Sequence, residues 1–355
     1  MDLGDKKVLA FLLCRSGCVP YATQMVIHLR GVKVKTYASA FSTEALPKDS
    51  YRIPTYRNIF EFLLSSFIIL PWLMIRVVLD IHRGFRIGYF PMFHPWNPFL
   101  ILIFRLWRKK CLVTAHEGRL HRGEAYSWEQ GLANLSIKWA DGLVFLTEKE
   151  RSATQKYLPF RGRSWVIPHG ILQLPGLRTT PRTLPDRPAL LFLGRIVLYK
   201  GLELLLHAVS LLPREAFHHL TIAGRANYMA SGQSAMSQVR WIKGWLSEAQ
   251  MAQLLNEHDI LILPYLEASQ SGIATLGIAA AIPMICTRVG GLTEQLSEEE
   301  AIWAEPNPDS LLAAIKRLIS DPDCYGQLHQ RLAQKRGNEG WAENARKIEG
   351  IFKEL

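Results

Sequence analysis

The sequence predicts an α/β protein built from two doubly wound parallel sheets. Short apolar runs of strand length alternate with helical patterns along the whole chain, and a parallel strand needs a crossover, usually a helix, to reach its neighbour. The alternation begins afresh near residue 189, and 355 residues suit two domains of about 100–200 residues each. Between the two series lie Ile171–Gly176 and a Pro- and Arg-rich stretch to Pro188 without apolar periodicity, which read as a linker. The expected division is 1–172 for the first domain and 173–339 for the second.

In the first domain, Val8–Leu13, Val32–Tyr37, Arg86–Phe90, Cys111–Ala115, Gly142–Leu146 and Trp165–Pro168 read as buried strands. The run after Lys6-Lys7 is about seven residues and ends at Arg15, at the bottom of the range for a secretory signal. It is expected to be a first strand that turns at Ser16-Gly17. A helix should follow from near Tyr21 to a stop at Gly31. The apolar stretch Phe62–Ile75 spans about 14 residues, short of the ~20 needed to cross a bilayer, and Pro71 interrupts it. It reads as a buried or interfacial helix. Asn97 suits an N-cap and Pro98 a first helical position, so another helix should run through Phe99–Phe104 into Arg105, Trp107, Arg108, Lys109 and Lys110. In the second domain the expected strands are Ala189–Leu193, Leu220–Ala223, Ile260–Pro264 and Pro283–Thr287, and the helices Leu202–Leu212, Ser247–Asn256 and Ser310–Ile319.

Composition narrows the function. With 48% hydrophobic residues the chain can build cores, which excludes a disordered protein. The 24 Lys/Arg against 12 Asp/Glu in residues 1–176 give that half a net +12, and 18 against 19 give the rest −1. The basic half also carries Trp72 and Trp107 beside its apolar segments, the combination that suits an anionic lipid surface. It contains no helix-turn-helix, RNA-recognition or zinc module, so nucleic acid is not an expected partner. The five cysteines, at 14, 18, 111, 286 and 324, lack zinc-ligand spacing and read as reduced, buried thiols. His116-Glu117-Gly118-Arg119-Leu120-His121 is no zinc-protease box, because its histidines are five apart and would not share a helical face. No metal or other cofactor is expected.

Phe192-Leu193-Gly194-Arg195 ends a strand, and Lys200-Gly201 precedes a Leu-rich helix. A guanidinium fork and an ammonium five residues apart at a strand's carboxyl end suit a diphosphate. Downstream, Glu267-Ala268-Ser269-Gln270-Ser271-Gly272-Ile273 leads into a small-residue helix, where backbone N–H groups and the helix dipole favour an anion. Gly290-Gly291 offers another close backbone approach before a helix near Thr293. Neither a phosphate-binding Walker loop, a Gly-rich dinucleotide fingerprint nor a nucleophile elbow is present.

In this order these segments resemble the retaining family 4 glycosyltransferases, whose glycosyltransferase B fold has two Rossmann-like domains facing across a cleft. The resemblance rests on Ala140–Glu148, Val166–Gly170, Gly194-Arg195 with Lys200-Gly201, Ala223-Gly224-Arg225, and Pro283 with Gly290–Glu294. It implies transfer of a sugar from a nucleotide-diphosphate donor to an acceptor hydroxyl with retention at the anomeric carbon. It further implies that Gly194, Arg195, Lys200, Gly224, Gln270, Ser271, Gly272 and Ile273 hold the donor, with Arg195 and Lys200 on its diphosphate, and that a last helix at about 340–355 packs back on the first domain. His116 matches the family's histidine at the donor–acceptor junction and is the catalytic candidate with Arg195 and Lys200. Ser16, Gly17, His116 and Glu117 would line the acceptor side.

One departure marks this chain. The family usually has two glutamates eight positions apart, the second at a fixed distance before the next strand's proline. Counting back from Pro283 puts Leu276 and Ala268 there, with Glu267 one residue out of register. The chain looks like a variant with a Gln-Ser-Gly turn, in which Glu267 and Glu294 become the candidates for the sugar and ribose hydroxyls. Charge and resemblance together suggest a polyprenyl-diphosphate-linked or other glycan acceptor in bacterial polysaccharide or glycoconjugate synthesis. The protein would sit on the inner face of the cytoplasmic membrane as a peripheral protein. A non-catalytic sugar-nucleotide-binding partner with the same fold is the alternative that the missing glutamates motivate.

Overall fold

The computed structural model describes residues 6–118, 127–226 and 237–355; Arg119, Leu120 and His121 lie outside them. The strands are β1 Lys7–Leu12, β2 Lys33–Ser39, β3 Tyr51–Ile53, β4 Phe85–Phe90, β5 Lys110–Ala115, β6 Gly142–Phe145, β7 Arg163–Val166, β8 Leu190–Leu193, β9 Leu220–Gly224, β10 Val239–Lys243, β11 Ile260–Leu263, β12 Met284–Thr287 and β13 Ile302–Ala304. The helices are α1 Val19–His28, α2 Ile59–His82, α3 Asn97–Leu106, α4 Ser127–Trp139, α5 Glu148–Tyr157, α6 Leu202–Ser210, α7 Glu248–Glu257, α8 Gly272–Ala279, α9 Leu292–Gln295, α10 Pro308–Ile319, α11 Pro322–Arg336 and α12 Trp341–Glu354.

The chain divides into two compact units, Met1–Gly170 with Gly340–Leu355, and Ile171–Glu339. The first holds a seven-stranded parallel sheet in the order β3-β2-β1-β4-β5-β6-β7. Its central strands are apolar because both faces are covered: Val8 to Leu12 of β1 are all buried. Helix α12 returns to pack against α1. Trp341 is buried there, and a Cβ on Gly170 would lie 2.4 Å from its indole. The second unit holds six parallel strands in the order β10-β9-β8-β11-β12-β13.

Three sequence expectations need correction. Helix α2 is one continuous 24-residue helix, rather than a run of about 14 broken at Pro71. Asn58 caps its start by accepting from Glu61 N, and Pro71 lies on the exposed side, where a missing N–H does not end the helix. Asn97 is not the cap of α3. Trp96 occupies that position, and Asn97 Nδ2 donates instead to Met92 O at 2.8 Å. Finally, the stretch after Ile171 is no free linker but is fastened to the second unit. Ile171 N donates to Glu339 O at 2.9 Å, and buried Arg182 donates to Leu255 O, His258 O and Ala280 O at 2.6, 2.8 and 3.3 Å. Those carbonyls end α7 and α8, where the helix leaves them without partners. Apolar periodicity could not register an anchor made by an arginine. Arg182→Met is therefore expected to lower unfolding stability by about 2–4 kcal/mol, read from the urea midpoint.

None of the five cysteines is in a disulfide; Cys111 and Cys286 are buried, while Cys14, Cys18 and Cys324 are only half-buried near turns and helix starts.

Candidate functional site

In the second unit the strand order reverses between β8 and β11, and such a switch point opens a crevice at the strands' carboxyl ends. Gly194 directly follows β8 there with φ +120°, and Gly224 ends β9 with φ +149°. Their backbones are in contact: a Cβ on Gly224 would lie 1.8 Å from Gly194 O, so no other residue fits. A Cβ on Gly194 would lie 3.2 Å from Ile273 Cγ1, which brings the start of α8 to the same point.

Arg195 is exposed and donates through Nη2 to Tyr199 OH at 3.1 Å. Lys200 ends a short 3-10 turn, with Nζ 3.5 Å from the centre of the buried Tyr265 ring. The loop after β11 is stitched to this turn. Leu266 N donates to Tyr199 O at 2.7 Å, and a Cβ on Gly201 would lie 1.9 Å from Pro264 O. Tyr265 OH shares a hydrogen bond with Ser271 Oγ at 3.0 Å. Burial pushes the Tyr265 phenol pKa up, opposed by the Ser271 hydrogen bond and the charge of Arg195.

Ser271 is the N-cap of α8, its hydroxyl accepting from Ala274 N at 3.2 Å. Gln295 fixes the turn, since Ser271 N donates to Gln295 Oε1 at 2.7 Å and Gln295 Nε2 donates to Ser271 O at 3.4 Å. The N–H groups of Gly272 and Ile273 fall in the first turn, where no intrahelical acceptor exists, at the positive end of the dipole. Two cationic side chains and a helix start thus stand at one strand-end switch point, an arrangement with the chemistry to hold a diphosphate.

Glu267 and Glu294 are both exposed at this rim. Gly291 N donates to Ala268 O at 2.8 Å, so the loop carrying Glu267 meets the turn before α9, which carries Glu294. Gln270 is half-buried in the same loop. Leu276 is 4% exposed within the apolar core, so no carboxylate stands at that helix position. Sequence reasoning missed Tyr199, Tyr265 and Gln295. The first two flank motif residues and gave no separate signal, and Gln295 acts on backbone groups, which no side-chain pattern reveals.

In the first unit the order reverses between β1 and β4. The turn after β1 contains Ser16 and Gly17, the latter at φ +83° and donating N–H to Glu44 Oε1 at 3.2 Å. His116 follows β5 and is buried, with Nε2 2.8 Å from Pro91 O in the loop after β4. A carbonyl only accepts, so Nε2 carries the hydrogen and neutral His116 presents a bare Nδ1. That Nδ1 has no partner among the described residues. The Tyr21 ring packs edge-on to the His116 ring, with centroids 4.6 Å apart. Burial lowers the His116 pKa, partly offset by the Pro91 bond and the charge of Glu117. Beside Tyr21, His169 is pushed down to about 4 by burial, and in the loop after β4 buried His94 is pushed down to about 3. Both stay neutral in the fold while their unfolded forms protonate near the ordinary value of about 6.5. Stability should therefore fall as pH drops from about 6.5 towards 4, by about 1.4 kcal/mol per pH unit for each histidine. Denaturant titrations across that range measure it.

Residues 187–321, spanning β8 to the end of α10, match the family described as "Glycosyl transferases group 1". A glycosyltransferase of Methanocaldococcus jannaschii described as uncharacterized is 29% identical over 143 residues, 38% of this chain and 37% of that protein. The match thus spans well under half the length of that relative. Among solved structures, sucrose-phosphate synthase from Thermosynechococcus elongatus superposes with a TM-score of 0.76 over 99% of both chains at 16% identity. The HepE protein of Anabaena, solved in complex with UDP, gives 0.72 over 99% of this chain and 100% of that one at 14% identity. The chain therefore has the glycosyltransferase B fold of two parallel-sheet α/β domains, and its second unit carries the segment similar to the group 1 glycosyl transferases.

Proposed function

We propose that the protein is a hexosyltransferase-type glycosyltransferase that moves a sugar from a nucleotide-diphosphate donor to an acceptor hydroxyl with retention of configuration. The observation that carries this reading is the crevice at the β8–β11 switch point, where Arg195, Lys200 and the first turn of α8 converge. A departing nucleoside diphosphate develops negative charge as the glycosidic bond breaks, and preorganised donors there stabilise that charge without reorganising. The match over 187–321 supports the same reading, as do neighbours solved with UDP and with UDP-glucose.

Leu276 and Ala268 hold the positions of the family's glutamate pair, so no carboxylate is supplied from those two sites. The acceptor hydroxyl would then attack from the face the diphosphate leaves, handing its proton to a phosphate oxygen. His116 contributes a hydrogen-bond acceptor, Nδ1, for a sugar hydroxyl, and its lowered pKa keeps the ring neutral at physiological pH. Glu267 and Glu294 serve the donor hydroxyls from the rim. The basic first domain would receive a lipid-linked acceptor, with polyprenyl diphosphate as the carrier class, at the anionic cytoplasmic face of the membrane. Proton NMR of the product formed from an α-linked donor tests the stereochemistry. An α product is expected, and a β product would refute retention.

A further inference from the structure

Helix α2 lies between β3 and β4 and covers one face of the first unit's sheet. Its inner side buries Ser65, Leu70, Leu73, Val77, Asp80 and Ile81. Asp80, 1% exposed, receives Lys35 Nζ at 2.6 Å and the Tyr37 hydroxyl from β2. This packing holds the helix against the sheet rather than across a bilayer, although its 24 residues, with an 18-residue window of mean hydropathy 2.2, would suffice in length and composition.

The outer side is unlike that of a water-facing helix. Phe60, Leu64, Phe67, Ile68, Ile75 and Leu79 are exposed at helical spacing, Phe67 by 80%. None of the charged side chains of α2 interrupts this face. Glu61 is paired with Arg57 before the helix, Asp80 is buried, and Arg76 lies over the Tyr51 and Trp72 rings. Pro71, Ile75 and Leu79 also line, with Ile103 of α3, an open apolar groove of about 490 Å³. Leu106 and Trp107 extend exposed apolar surface at the end of α3. Residues 51–110 carry nine Lys/Arg against two Asp/Glu, so the surroundings are cationic where the face is apolar. An ordinary protein surface would not leave about 36 Å of helix in this state, at about 1.5 Å per residue.

We propose that the outer face of α2, with the end of α3, is embedded in the hydrocarbon boundary of an anionic membrane, the helix lying in the membrane plane. The partner is the lipid itself: acyl chains fill the groove, and Arg83, Arg86, Arg105, Arg108 and Lys110 meet the headgroups. The position of the face also fits a lipid-linked acceptor. Arg15, in the turn after β1, donates to Arg57 O at 3.1 Å immediately before the α2 cap. The apolar face therefore starts beside the turn assigned to the acceptor. The inference deepens the membrane placement proposed above, and nucleoside-diphosphate binding is measured alongside it so that failure of one is separable from failure of the other.

The test is co-sedimentation of the full chain with phosphatidylcholine vesicles, with and without phosphatidylglycerol, at low and high salt. The wild type should keep a salt-resistant fraction on anionic vesicles. Leu64→Gln/Phe67→Gln/Ile68→Gln should weaken that fraction about 100-fold or more, each change removing several buried CH₂ equivalents. Its unfolding midpoint should not fall, since the three side chains are solvent-exposed, and its UDP-induced midpoint shift should match wild type. Gln at Arg105, Arg108, Lys109 and Lys110 should weaken only the salt-sensitive fraction. Complete release of the wild type by salt, or wild-type binding by the triple variant, would overturn the proposal. So would a lipid-free dimer that the triple variant converts to monomer without any loss of vesicle binding. Absence of a UDP or other nucleoside-diphosphate shift in the wild type, with vesicle binding intact, would count against the donor reading alone.

Discussion

Arg195→Ala and Lys200→Ala should each lower kcat/KM for sugar transfer by about 10²–10³, or roughly 2.7–4 kcal/mol of transition-state stabilisation. The effect is large because the leaving diphosphate is the group on which charge accumulates, and both cations are held by neighbours before it arrives. Tyr199 OH accepts from Arg195, and the Tyr265 ring lies under Lys200. Both residues follow β8 in a turn, outside the sheet core, so unfolding midpoints should stay within about 0.5 kcal/mol of wild type. Lys200→Arg should rescue little, since the longer planar fork does not place its charge where the compact ammonium of Lys200 sits. Full kcat/KM in either alanine variant would remove the diphosphate assignment.

Leu276→Glu should lower stability by about 3–5 kcal/mol and give no gain in donor affinity. Leu276 is 4% exposed and packs in the apolar core around α8, with no cation described beside it. An uncompensated carboxylate there is penalised by burial, and the side chain would take up a proton at a raised pKa instead. The loss should thus be smaller at pH 5 than at pH 8, because a carboxyl whose folded pKa is raised destabilises only above its unfolded value of about 4.3. Leu276→Met, which keeps the volume, should cost under about 1.5 kcal/mol. Tighter donor binding by the glutamate variant would mean that the position remains open to the sugar despite its apolar surroundings.

Much of this architecture could be read from the sequence because it is written in apolar runs. The central strands β1, β4, β5, β6, β8, β11 and β12 are largely buried and appear as mostly hydrophobic segments, although Arg86 of β4 and Lys110 of β5 are exposed. The edge strands β3, β10 and β13 did not appear, since β3 and β13 have three residues and β10 is largely solvent-facing. The length of α2 was underread because the charged Glu61 and Arg76 flank the apolar run Phe62–Ile75, yet both lie inside the helix. Glu61 pairs with Arg57 one turn away and Arg76 lies over the Tyr51 and Trp72 rings, and the helix's apolar exposure is a fact of packing that composition cannot carry. At the candidate site, Gly194, Arg195, Lys200, Ser271 and Gly272 were legible from their order along the chain. Gln295 and Tyr265 were not, because one acts through backbone hydrogen bonds and the other is a buried ring whose role depends on what lies above it.

The proposed role of the β8–β11 crevice is to bind a nucleotide-diphosphate sugar for transfer. The most direct measurement is turnover of a panel of nucleotide sugars by the purified chain, following nucleoside diphosphate release with and without lipid-linked glycan acceptors. Release from at least one donor is expected, accelerated by an acceptor and slowed about 10²–10³-fold by Arg195→Ala. A protein that binds a donor but never releases diphosphate with any acceptor, or whose release is indifferent to Arg195→Ala, would contradict that role.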